Sequence, residues 1–567
     1  MAKPRPLTQT PAADLDWSRP QTPVATEFGD IYFSTDGGLD ETRTVFLSGC
    51  GLPERWTDTS VFTIAELGFG SGLNFLATWQ KWAETAQPKQ RLHFVSIEKF
   101  PFDREQLQRA LSSWPELNGL SAQLLAKWPG RVKGIHRLNF GAVTLTLIHA
   151  DVIEALDQLD GLKADAWFLD GFSPSGNPAM WSSEVMQRLA SCCAAGARLA
   201  TFSVAGAVRA ALKDAGFTVR KMPGFGRKRH RLEADFPGQR PTDTQPIEKA
   251  LIIGAGIAGR SLAHALTARH IPFDIIDDHT HPAASANPAA LVKPRFDLQD
   301  RPESRFFLSA YLHALRLYPD SAIISRGVRQ IPKTEKEAER FKKLIDQAPL
   351  GGGRLRWSDN ALWIDSAIAI DPSKVFDGLD VRHERFDMGG KHSAYSHIFL
   401  AAGYGIRQLV PNLETRFSRG QLSWAKPIWN SPTAYGGYAM NLNEAALVGA
   451  THDRLDDRDP FEIRPEDDDR NLSALAEISG KRVEPVNRPS RASVRVTSRD
   501  TLPILTKINE ASSENIWAMT GLGSRGFTFA PLLAEALISH LCHEIGPLDK
   551  NLRGTFMDSR RFTNSSS

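Results

Sequence analysis

Cysteine is scarce in this sequence, with four residues in 567: Cys50, Cys192, Cys193 and Cys542. They form no CxxC pair and no cluster with histidine at zinc spacing, so the sequence predicts neither a disulfide framework nor a metal site. Long apolar runs are also missing. No stretch approaches the roughly 20 residues that cross a bilayer, and the opening MAKPRPLTQT carries no secretion signal. We therefore expect a cytoplasmic protein without membrane contact, whose thiols are reduced and mostly buried.

A strong net charge is absent as well. Lys and Arg number 68 and Asp and Glu number 65, which gives a formal charge of +3. A global positive field for nucleic acid is therefore excluded, and any contact with RNA must use local patches. The length of 567 residues exceeds what one hydrophobic core supports, so we expect two large domains or three smaller ones.

The clearest change in composition lies at residues 236–248 (FPGQRPTDTQPIE), just before the strand-like ALIIGAG. It predicts domains at 1–240 and 249–567 joined by a linker at 241–248. In the first domain, strand-like runs such as VFTIAEL and LHFVSIE alternate with helical stretches, which is typical of an α/β fold with a parallel sheet. In the second, a nucleotide-binding βαβ pattern precedes a long mixed region and late glycine-rich motifs. This order predicts a nucleotide-binding domain with an inserted α+β substrate domain.

A glycine-rich turn follows the strand VFTIAEL and precedes a helix, where glycines let the backbone turn tightly and approach a ligand. The next strand ends in a glutamate that can accept hydrogen bonds from ribose hydroxyls, and a third ends close to Asp151. Asp151 has an alternative role as the N-cap of the helix VIEALDQL. The layout is that of class I (Rossmann-like) methyltransferases and predicts S-adenosylmethionine as cofactor. The candidate cofactor residues are Glu66, Gly68, Gly70, Gly72, Asn74, Glu98 and Asp151.

Asp170 is the catalytic candidate of this first domain. It ends the strand ADAWFLD, at the mouth of an open α/β sheet where ligands bind. Methyl transfer to an amine needs the neutral lone pair aimed at the methyl carbon, and a carboxylate there can take or orient the proton. The alternative is a structural aspartate that opens a turn.

The first domain also offers candidate RNA contacts. A basic run that includes Arg227, Lys228 and Arg229 follows the sequence GFG and forms a local patch for phosphates. An exposed uridine could stack on Phe172 or Trp181. The alternative for the basic run is a solvated segment neutralised by neighbouring carboxylates.

A complete dinucleotide fingerprint opens the second domain. The glycines of GAGIAG follow a strand and begin a helix, and Asp277 ends the next strand, where it can bind a ribose hydroxyl. The later motifs SANPAALVKPR, RDTLP and GLGSRG resemble, in order, segments of glycine and D-amino acid oxidase-like enzymes, which favours FAD. The candidate FAD residues are Gly254, Gly256, Gly259, Asp277, Asn287, Gly521, Gly523, Ser524 and Gly526.

The resemblance to these oxidases also implies an arginine that binds the substrate carboxylate. A guanidinium suits this task because it can donate two parallel hydrogen bonds. Arg499 and Arg525 are the candidates, and each has the alternative role of a structural ion-pair partner.

The chain as a whole resembles the MnmC family of bifunctional tRNA 5-methylaminomethyl-2-thiouridine biosynthesis proteins. The motifs that carry this resemblance are, in order, FGDIYFS, LDGFSPSGNPAMW, GFGRKR and VGATHD. The resemblance implies that the FAD domain removes the carboxymethyl group from 5-carboxymethylaminomethyl-(2-thio)uridine at the wobble position of tRNA. The methyltransferase domain then methylates the resulting amine. The sequence departs from the family at Ala289 and Ala290, where a glycine is common, which puts only the packing of the flavin loop in doubt.

Two alternatives to this function stay open, and both use the same folds. One is oxidation and methylation of free small amines or amino acids. The other is a noncatalytic RNA-binding protein that retains nucleotide folds as scaffolds. For the leading interpretation we expect a monomer, because a two-site enzyme gains no obvious completion of either site from self-association.

Overall fold

The computed structural model describes residues 5–19, 22–34, 37–159, 161–226, 228–240, 246–508 and 515–562. The chain forms two compact units. The N-terminal unit comprises Thr8–Gln245 and His543–Lys550, and the C-terminal unit comprises Met1–Leu7, Pro246–Cys542 and Asn551–Ser567. Residues 241–245 of the expected linker lie outside the described residues, so the linker bounds stay a prediction.

The strands of the N-terminal unit are β1 (Leu15–Asp16), β2 (Val24–Ala25), β3 (Asp30–Ile31), β4 (Val61–Leu67), β5 (Arg91–Glu98), β6 (Gly134–Phe140), β7 (Val143–His149), β8 (Ala164–Leu169), β9 (Cys193–Thr201), β10 (Thr218–Pro223) and β11 (His230–Asp235). Its helices are α1 (Gly38–Glu41), α2 (Leu73–Thr85), α3 (Arg104–Leu111), α4 (Asn118–Lys127), α5 (Val152–Gln158), α6 (Ser183–Ser191) and α7 (Gly206–Asp214). A π-helical turn, Thr42–Leu47, follows α1.

Eight of these strands form the central sheet of the N-terminal unit, in the order β10-β11-β9-β8-β4-β5-β7-β6. Strand β4 pairs in parallel with β5 on one side and β8 on the other, and β7 and β9 continue the parallel pairing outward. The antiparallel strands β6, β10 and β11 complete the two edges. The strand order reverses at β4, so a ligand crevice is expected at the carboxyl ends of β4, β5 and β8.

Both faces of this sheet are buried, as expected for parallel strands covered by helices. On β4, Phe62 and Ile64 belong to one hydrophobic core, whereas Ala65 and Leu67 belong to the other. This separation follows from the alternation of side chains along a strand. A strand with two buried faces therefore reads as a nearly continuous apolar run.

The second segment of the N-terminal unit, His543–Lys550, adds to the β5 and β6 side of this sheet. Glu544 forms an ion pair with Arg91 on β5, with 2.5 Å between Oε1 and NH2. Arg137 on β6 donates a hydrogen bond to the backbone carbonyl of Ile545. The Ile545 side chain is part of the hydrophobic core on that face.

The strands of the C-terminal unit are β12 (Ala250–Ile253), β13 (Phe273–Asp277), β14 (Ala290–Val292), β15 (Ile323–Gln330), β16 (Leu355–Ser358), β17 (Ala361–Ile370), β18 (Arg382–His383), β19 (His397–Leu400), β20 (Arg416–Ala425), β21 (Thr433–Ala434), β22 (Tyr438–Leu442), β23 (Ala445–Gly449), β24 (Asp453–Arg454), β25 (Arg491–Thr497), β26 (Ile504–Lys507) and β27 (Ile516–Thr520). Its helices are α8 (Ile257–Thr267), α9 (Pro302–Leu317), α10 (Glu335–Gln347), α11 (Ile406–Leu409), α12 (Pro465–Ser479), α13 (Gly526–Leu541) and α14 (Lys550–Met557).

Two sheets organise the C-terminal unit. Strands β18-β13-β12-β19-β27 pair in parallel, with β26 antiparallel at the edge. The second sheet has the order β14-β17-β15-β21-β22-β23-β20-β24 and is mostly antiparallel, with β16 on β17 and β25 on β20. The buried ion pair of Arg269 and Glu535 (2.8 Å) fastens the end of α8 to α13.

The predicted fold class is therefore confirmed. The N-terminal unit has a doubly wound α/β sheet, and the C-terminal unit has a dinucleotide-binding sheet with an inserted α+β sheet. Among the described residues, none of the helices combines the length and the apolar character that a membrane span requires.

Candidate active sites

The first candidate site is a cavity of about 540 Å³ in the N-terminal unit, where β4, β5 and β8 end. Gly68 and Gly70 line it with φ angles of 82° and 52°, a conformation that glycine adopts without strain. A Cβ atom at Gly68 would lie 3.2 Å from the Cα atom of Gly171. Gly72 does not line the cavity. It caps the N-terminus of α2.

Glu98 lies at the end of β5 and lines the cavity. Its carboxylate accepts hydrogen bonds from the backbone nitrogens of Gly70 (2.9 Å) and Phe100 (2.8 Å). Burial raises the pKa of Glu98, and these hydrogen bonds oppose the shift. The two contacts fix the carboxylate at the glycine-rich turn, where sequence reasoning expects a ribose ligand.

Asp151 has the N-cap role that the sequence left open as an alternative, and its role as a cofactor residue stays a prediction. Its side chain accepts a hydrogen bond from Ile153 N (3.1 Å) and so caps α5. It also lines the cavity and pairs with Lys99, with 3.2 Å between Oδ2 and Nζ.

A cluster of three side chains lies at the end of β8. The Nδ2 atom of Asn74 donates to Asp170 Oδ2 (2.7 Å) and to Glu66 Oε1 (2.9 Å). The hydroxyl of Thr42, in the π-helical turn, donates to the Oδ1 atom of Asn74 (2.8 Å), and this contact fixes which way the amide points. Asp170 and Asn74 line the cavity. Glu66, only 1% exposed, supports them from the core.

Burial raises the pKa of Asp170 to about 6, and the hydrogen bonds from Gly171 N and Asn74 oppose this rise. The Glu41 carboxylate raises it further, and Lys228 lowers it. Burial also holds the pKa of Glu66 well above its ordinary value, with a smaller contribution from Asp170. The cavity therefore contains a carboxylate that can accept a proton near neutral pH.

The two aromatic candidates have different surroundings. Phe172 lines the cavity and stacks on Phe28, with ring centroids 4.5 Å apart. Trp181 is only 5% exposed, and its Nε1 donates to the backbone carbonyl of Phe172 (2.8 Å). The expected stacking role of Trp181 is therefore corrected, because its ring belongs to the core that supports Phe172.

The basic segment is only partly described. Arg227 lies outside the described residues. Lys228 lines the cavity, where its Nζ donates to Glu41 Oε1 (2.9 Å) and lies 4.2 Å from the ring centre of Phe202. Arg229 is exposed and does not line the cavity.

The second candidate site is a cavity of about 730 Å³ in the C-terminal unit. Gly254 and Gly256 line it between β12 and α8. A Cβ atom at Gly254 would lie 2.6 Å from Ala401 O, and one at Gly259 would lie 1.9 Å from Gly254 O. Gly259 therefore permits the close approach of α8 to the glycine-rich turn, and Gly254 permits the close approach of that turn to Ala401.

Asp277 and Asn287 also line this cavity. The carboxylate of Asp277 accepts hydrogen bonds from Ala255 N (2.8 Å) and His279 N (2.9 Å). The Oδ1 atom of Asn287 accepts from Arg491 Nε (3.1 Å). Asp277 thus lies beside the glycine-rich turn, as the dinucleotide fingerprint requires.

The late glycine-rich motif forms another wall of the same cavity. Its lining residues are Gly521, Gly523, Ser524, Arg525 and Gly526. Gly521 and Gly523 have φ angles of 74° and 57°, and Gly526 begins α13. The motif therefore turns tightly before the N-terminus of a helix.

The structure places the two arginine candidates in different surroundings. Arg525 lines the cavity, and burial lowers its pKa to about 10. Arg499 does not line it. Its side chain is 67% exposed and pairs with Glu414 (3.0 Å), so the expectation that it lies at the substrate is corrected. Arg495, which sequence reasoning missed, lines the cavity from β25.

The comparisons with known proteins agree with both predicted enzyme classes. Residues 115–237 match an S-adenosyl-L-methionine-dependent methyltransferase model, and residues 373–540 match an FAD dependent oxidoreductase model. Two relatives are each called "tRNA 5-methylaminomethyl-2-thiouridine biosynthesis bifunctional protein MnmC". The one from Caulobacter vibrioides is 42% identical over 96% of this chain and 97% of its own length. The one from Maricaulis maris is 41% identical over 93% and 92%.

The chain belongs to the MnmC family. It carries a methyltransferase and an FAD-dependent oxidoreductase, and the predictions of both enzyme classes and both cofactors are confirmed. The cavities fit these cofactors. Glu98 would offer a carboxylate to S-adenosylmethionine beside Gly70 N, and Asp277 would offer one to FAD beside Ala255 N.

Several residues that line the cavities are not among the predicted site residues, although Asp30, Tyr32 and Lys293 lie within motifs that carry the resemblance. Tyr32 and Asp30 enter the first cavity from the N-terminal segment, and Asp30 accepts a hydrogen bond from Ser173 N (2.9 Å). Lys293 and Arg495 line the second. The sequence did contain a signal that Arg495 has a functional role, because this charged residue lies between Val494 and Val496 and interrupts an apolar strand.

Proposed function

We propose that this chain converts 5-carboxymethylaminomethyl-(2-thio)uridine at the wobble position of tRNA to 5-methylaminomethyl-(2-thio)uridine in two steps. The C-terminal unit oxidises the bond between the nitrogen and the carboxymethyl carbon, and hydrolysis leaves a primary amine. The N-terminal unit then methylates that amine. The observation that carries the proposal is the pairing of an amine-oxidase-type cavity and a methyl-transfer cavity in one chain whose relatives are named for this tRNA product.

In the oxidation, the residues of the chain bind and orient the substrate. FAD, when bound, takes up the two electrons that leave the carbon and nitrogen. Arg525 and Arg495 line the cavity and offer guanidinium groups to the substrate carboxylate. Gly254, Gly256 and Asp277 hold the cofactor, and Asn287, which accepts a hydrogen bond from Arg491, lines the same cavity.

In the methylation, Asp170 orients the amine and accepts its proton. S-adenosylmethionine supplies the methyl group, held by Glu98 and the glycine-rich turn. Asn74 holds the Asp170 carboxylate towards the cavity, and the stacked Phe172 and Phe28 offer an aromatic surface to the uridine. Lys228, together with the exposed Arg229, contacts phosphates near the entrance.

The enzyme works on tRNA as a monomer in the cytoplasm. A chain that carries both of its sites gains no obvious completion of either site from self-association. Light scattering of the FAD-loaded protein at micromolar concentration tests this state, and a mass of two chains would contradict it.

Substrate competition tests the choice of tRNA over a free amine. Hydrogen peroxide release is measured with tRNA that carries the carboxymethylaminomethyl group, and separately with glycine and with sarcosine. We expect turnover with the tRNA and little with either amino acid. Efficient oxidation of glycine or sarcosine that bulk tRNA fails to inhibit would instead show an oxidase of free amines.

A further inference from the structure

Lys293, Arg495 and Arg525 are three of the five Lys and Arg side chains that line the cavity of the C-terminal unit. In the part of the chain that the structure describes, none of them forms an ion pair with a carboxylate. The Nζ atom of Lys293 donates to the neutral amide oxygen of Gln330 (3.0 Å), and Arg495 donates to the backbone carbonyl of Thr451 (3.2 Å). These three cations therefore lie in the cavity without an ion-pair partner among the described residues, although the carboxylate of Glu337, which also lines the cavity, acts on the charge of Lys293.

Lys293 and Arg525 are held close together by the start of α13. The hydroxyl of Thr528, in the first turn of the helix, donates to the backbone carbonyl of Lys293 (3.5 Å), and Arg525 directly precedes the helix. Burial and the neighbouring charge of Arg525 lower the pKa of Lys293 to about 8, and Glu337 opposes this shift. Two cations in such surroundings are unfavourable until an anion binds between them.

The substrate of the oxidase and the product of the methyltransferase are chemically similar. The substrate of the oxidase is a secondary amine with a carboxymethyl group, and the final product of the methyltransferase is a secondary amine with a methyl group. Both have an oxidisable C–H bond next to nitrogen. Oxidation of the methyl group would return the primary amine and undo the methylation, so the chain needs a way to tell its first substrate from its last product.

We propose that Lys293, together with Arg525, prevents the oxidase from demethylating the product of the methyltransferase. This inference rests on the proposed function. The carboxymethylamine carries a carboxylate that neutralises the two cations, whereas the methylamine is a cation at neutral pH and is repelled by them. Lys293 thus determines specificity by excluding the product as well as by binding the substrate.

The excluded reaction is an oxidative demethylation of the methylamine. The methyl carbon and the nitrogen together lose two electrons and two protons, and dioxygen takes them up to become hydrogen peroxide. Water adds to the resulting imine and the C–N bond breaks. The products are formaldehyde and the primary amine on the uridine.

The test uses the full-length, FAD-loaded chain and two tRNA substrates. One carries the carboxymethylaminomethyl group, and the other carries methylaminomethyl with a carbon-13 methyl. The variants are Lys293→Met, Lys293→Arg and Arg525→Met, with Lys336→Met on α10 as an exposed control. Labelled formaldehyde and the nucleoside products give kcat/KM for each substrate. Glycolate titration, read from the flavin spectrum, measures carboxylate binding without turnover.

We expect the wild type and Lys336→Met to release no labelled formaldehyde above background. Lys293→Met should lose about 10- to 100-fold in glycolate affinity and in kcat/KM for the carboxymethylamine, which corresponds to the loss of one hydrogen bond to a charged group. It should also gain measurable demethylation, so that the ratio of the two kcat/KM values falls at least about tenfold. Lys293→Arg should restore most of this ratio because it keeps the charge.

Demethylation by the wild type at a rate comparable to carboxymethyl removal would overturn the proposal. So would an unchanged ratio in both Lys293→Met and Arg525→Met. Either result leaves the proposed function intact, provided that the wild type converts the carboxymethylaminomethyl tRNA to the amine. If Lys293→Met does not retain its flavin absorbance, the ratio of the two kcat/KM values in Arg525→Met tests the proposal instead.

Discussion

Asn74 and Asp170 lie 96 positions apart in the sequence, and the Nδ2 atom of Asn74 donates to Asp170 Oδ2 over 2.7 Å. The same nitrogen donates to Glu66, so one amide holds both the buried Glu66 carboxylate and the Asp170 carboxylate that lines the cavity. Its orientation is fixed by the hydroxyl of Thr42. Because the protonated amine is unreactive towards a methyl donor, the state of the Asp170 carboxylate should control methyl transfer.

Replacement of Asp170 by Asn should remove the general base and lower the methylation rate by about 10²- to 10⁴-fold. The shape of the side chain is kept, so the affinity for S-adenosylmethionine should change little. Single-turnover methylation of aminomethyl tRNA and calorimetric titration of the cofactor separate the two effects. Asp214→Asn, on the exposed end of α7, is the matched control. Full methylation activity in Asp170→Asn would remove Asp170 from the mechanism.

The pH dependence of methylation follows from the raised pKa of Asp170, about 6. The base is the ionised form, so the rate should rise with pH through about 6 and reach a plateau above it. Asn74→Ala removes a hydrogen bond that lowers this pKa, so its midpoint should move to higher pH. A pH profile of the single-turnover rate measures both midpoints. A midpoint that stays unchanged in Asn74→Ala would argue against the coupling of the two side chains.

Phe172 and Trp181 should respond differently to substitution, since one lines the cavity and the other lies in the core. Phe172→Ala should raise the KM for tRNA with little change in the melting temperature. Trp181→Ala should lower the free energy of unfolding by about 3–5 kcal/mol, the usual effect of truncating a large buried aromatic. Methylation kinetics and thermal unfolding of both variants test this. Equal losses of stability in the two would contradict the distinction.

Gly259→Ala should abolish the binding of FAD. A Cβ atom there would lie 1.9 Å from the carbonyl oxygen of Gly254, so α8 must shift away from the glycine-rich turn. Gly352→Ala is the control, because no atom lies within 4 Å of its added Cβ. Visible absorbance per chain after reconstitution gives the flavin content. A Gly259→Ala protein with a full complement of flavin would show that this close approach is unimportant.

Glu544 should stabilise the N-terminal unit although it lies near the other end of the chain. It is 4% exposed and pairs with Arg91 (2.5 Å), and His93 lies 3.7 Å from its other oxygen. Glu544→Gln leaves the Arg91 charge without its partner, which typically costs about 3–5 kcal/mol in a buried pair. Calorimetric unfolding with and without S-adenosylmethionine identifies the affected transition, with the exposed Glu105→Gln as control. No shift relative to that control would show that the pair is dispensable.

Local features of the sequence predicted the strands, turns and cofactor motifs well. The run VFTIAEL is strand β4, LNFLATWQKWAE lies within α2, and ADAWFLD contains β8 and places Asp170 at its end. These segments are predictable because alternation of apolar residues and glycine-rich turns are properties of neighbouring residues. The MnmC motifs then gave the order of the two enzymes.

The features that sequence reasoning missed depend on contacts between distant residues. Nothing near Glu544 indicates that it belongs beside Arg91, and nothing near Trp181 shows that its indole faces Phe172 from the core. Arg499 follows the end of β25 and points to solvent, whereas Arg495 lies within the strand and faces the cavity. Choosing between such arginines requires the register of the strand as well as the motif.

Nucleoside mass spectrometry tests the central claim most directly. Purified FAD-loaded protein is incubated with tRNA that carries the carboxymethylaminomethyl group, with and without S-adenosylmethionine. We expect the aminomethyl nucleoside without the methyl donor and the methylaminomethyl nucleoside with it. An unchanged nucleoside under both conditions would contradict the proposed oxidation of tRNA, and accumulation of the amine in the presence of the methyl donor would contradict the proposed methylation.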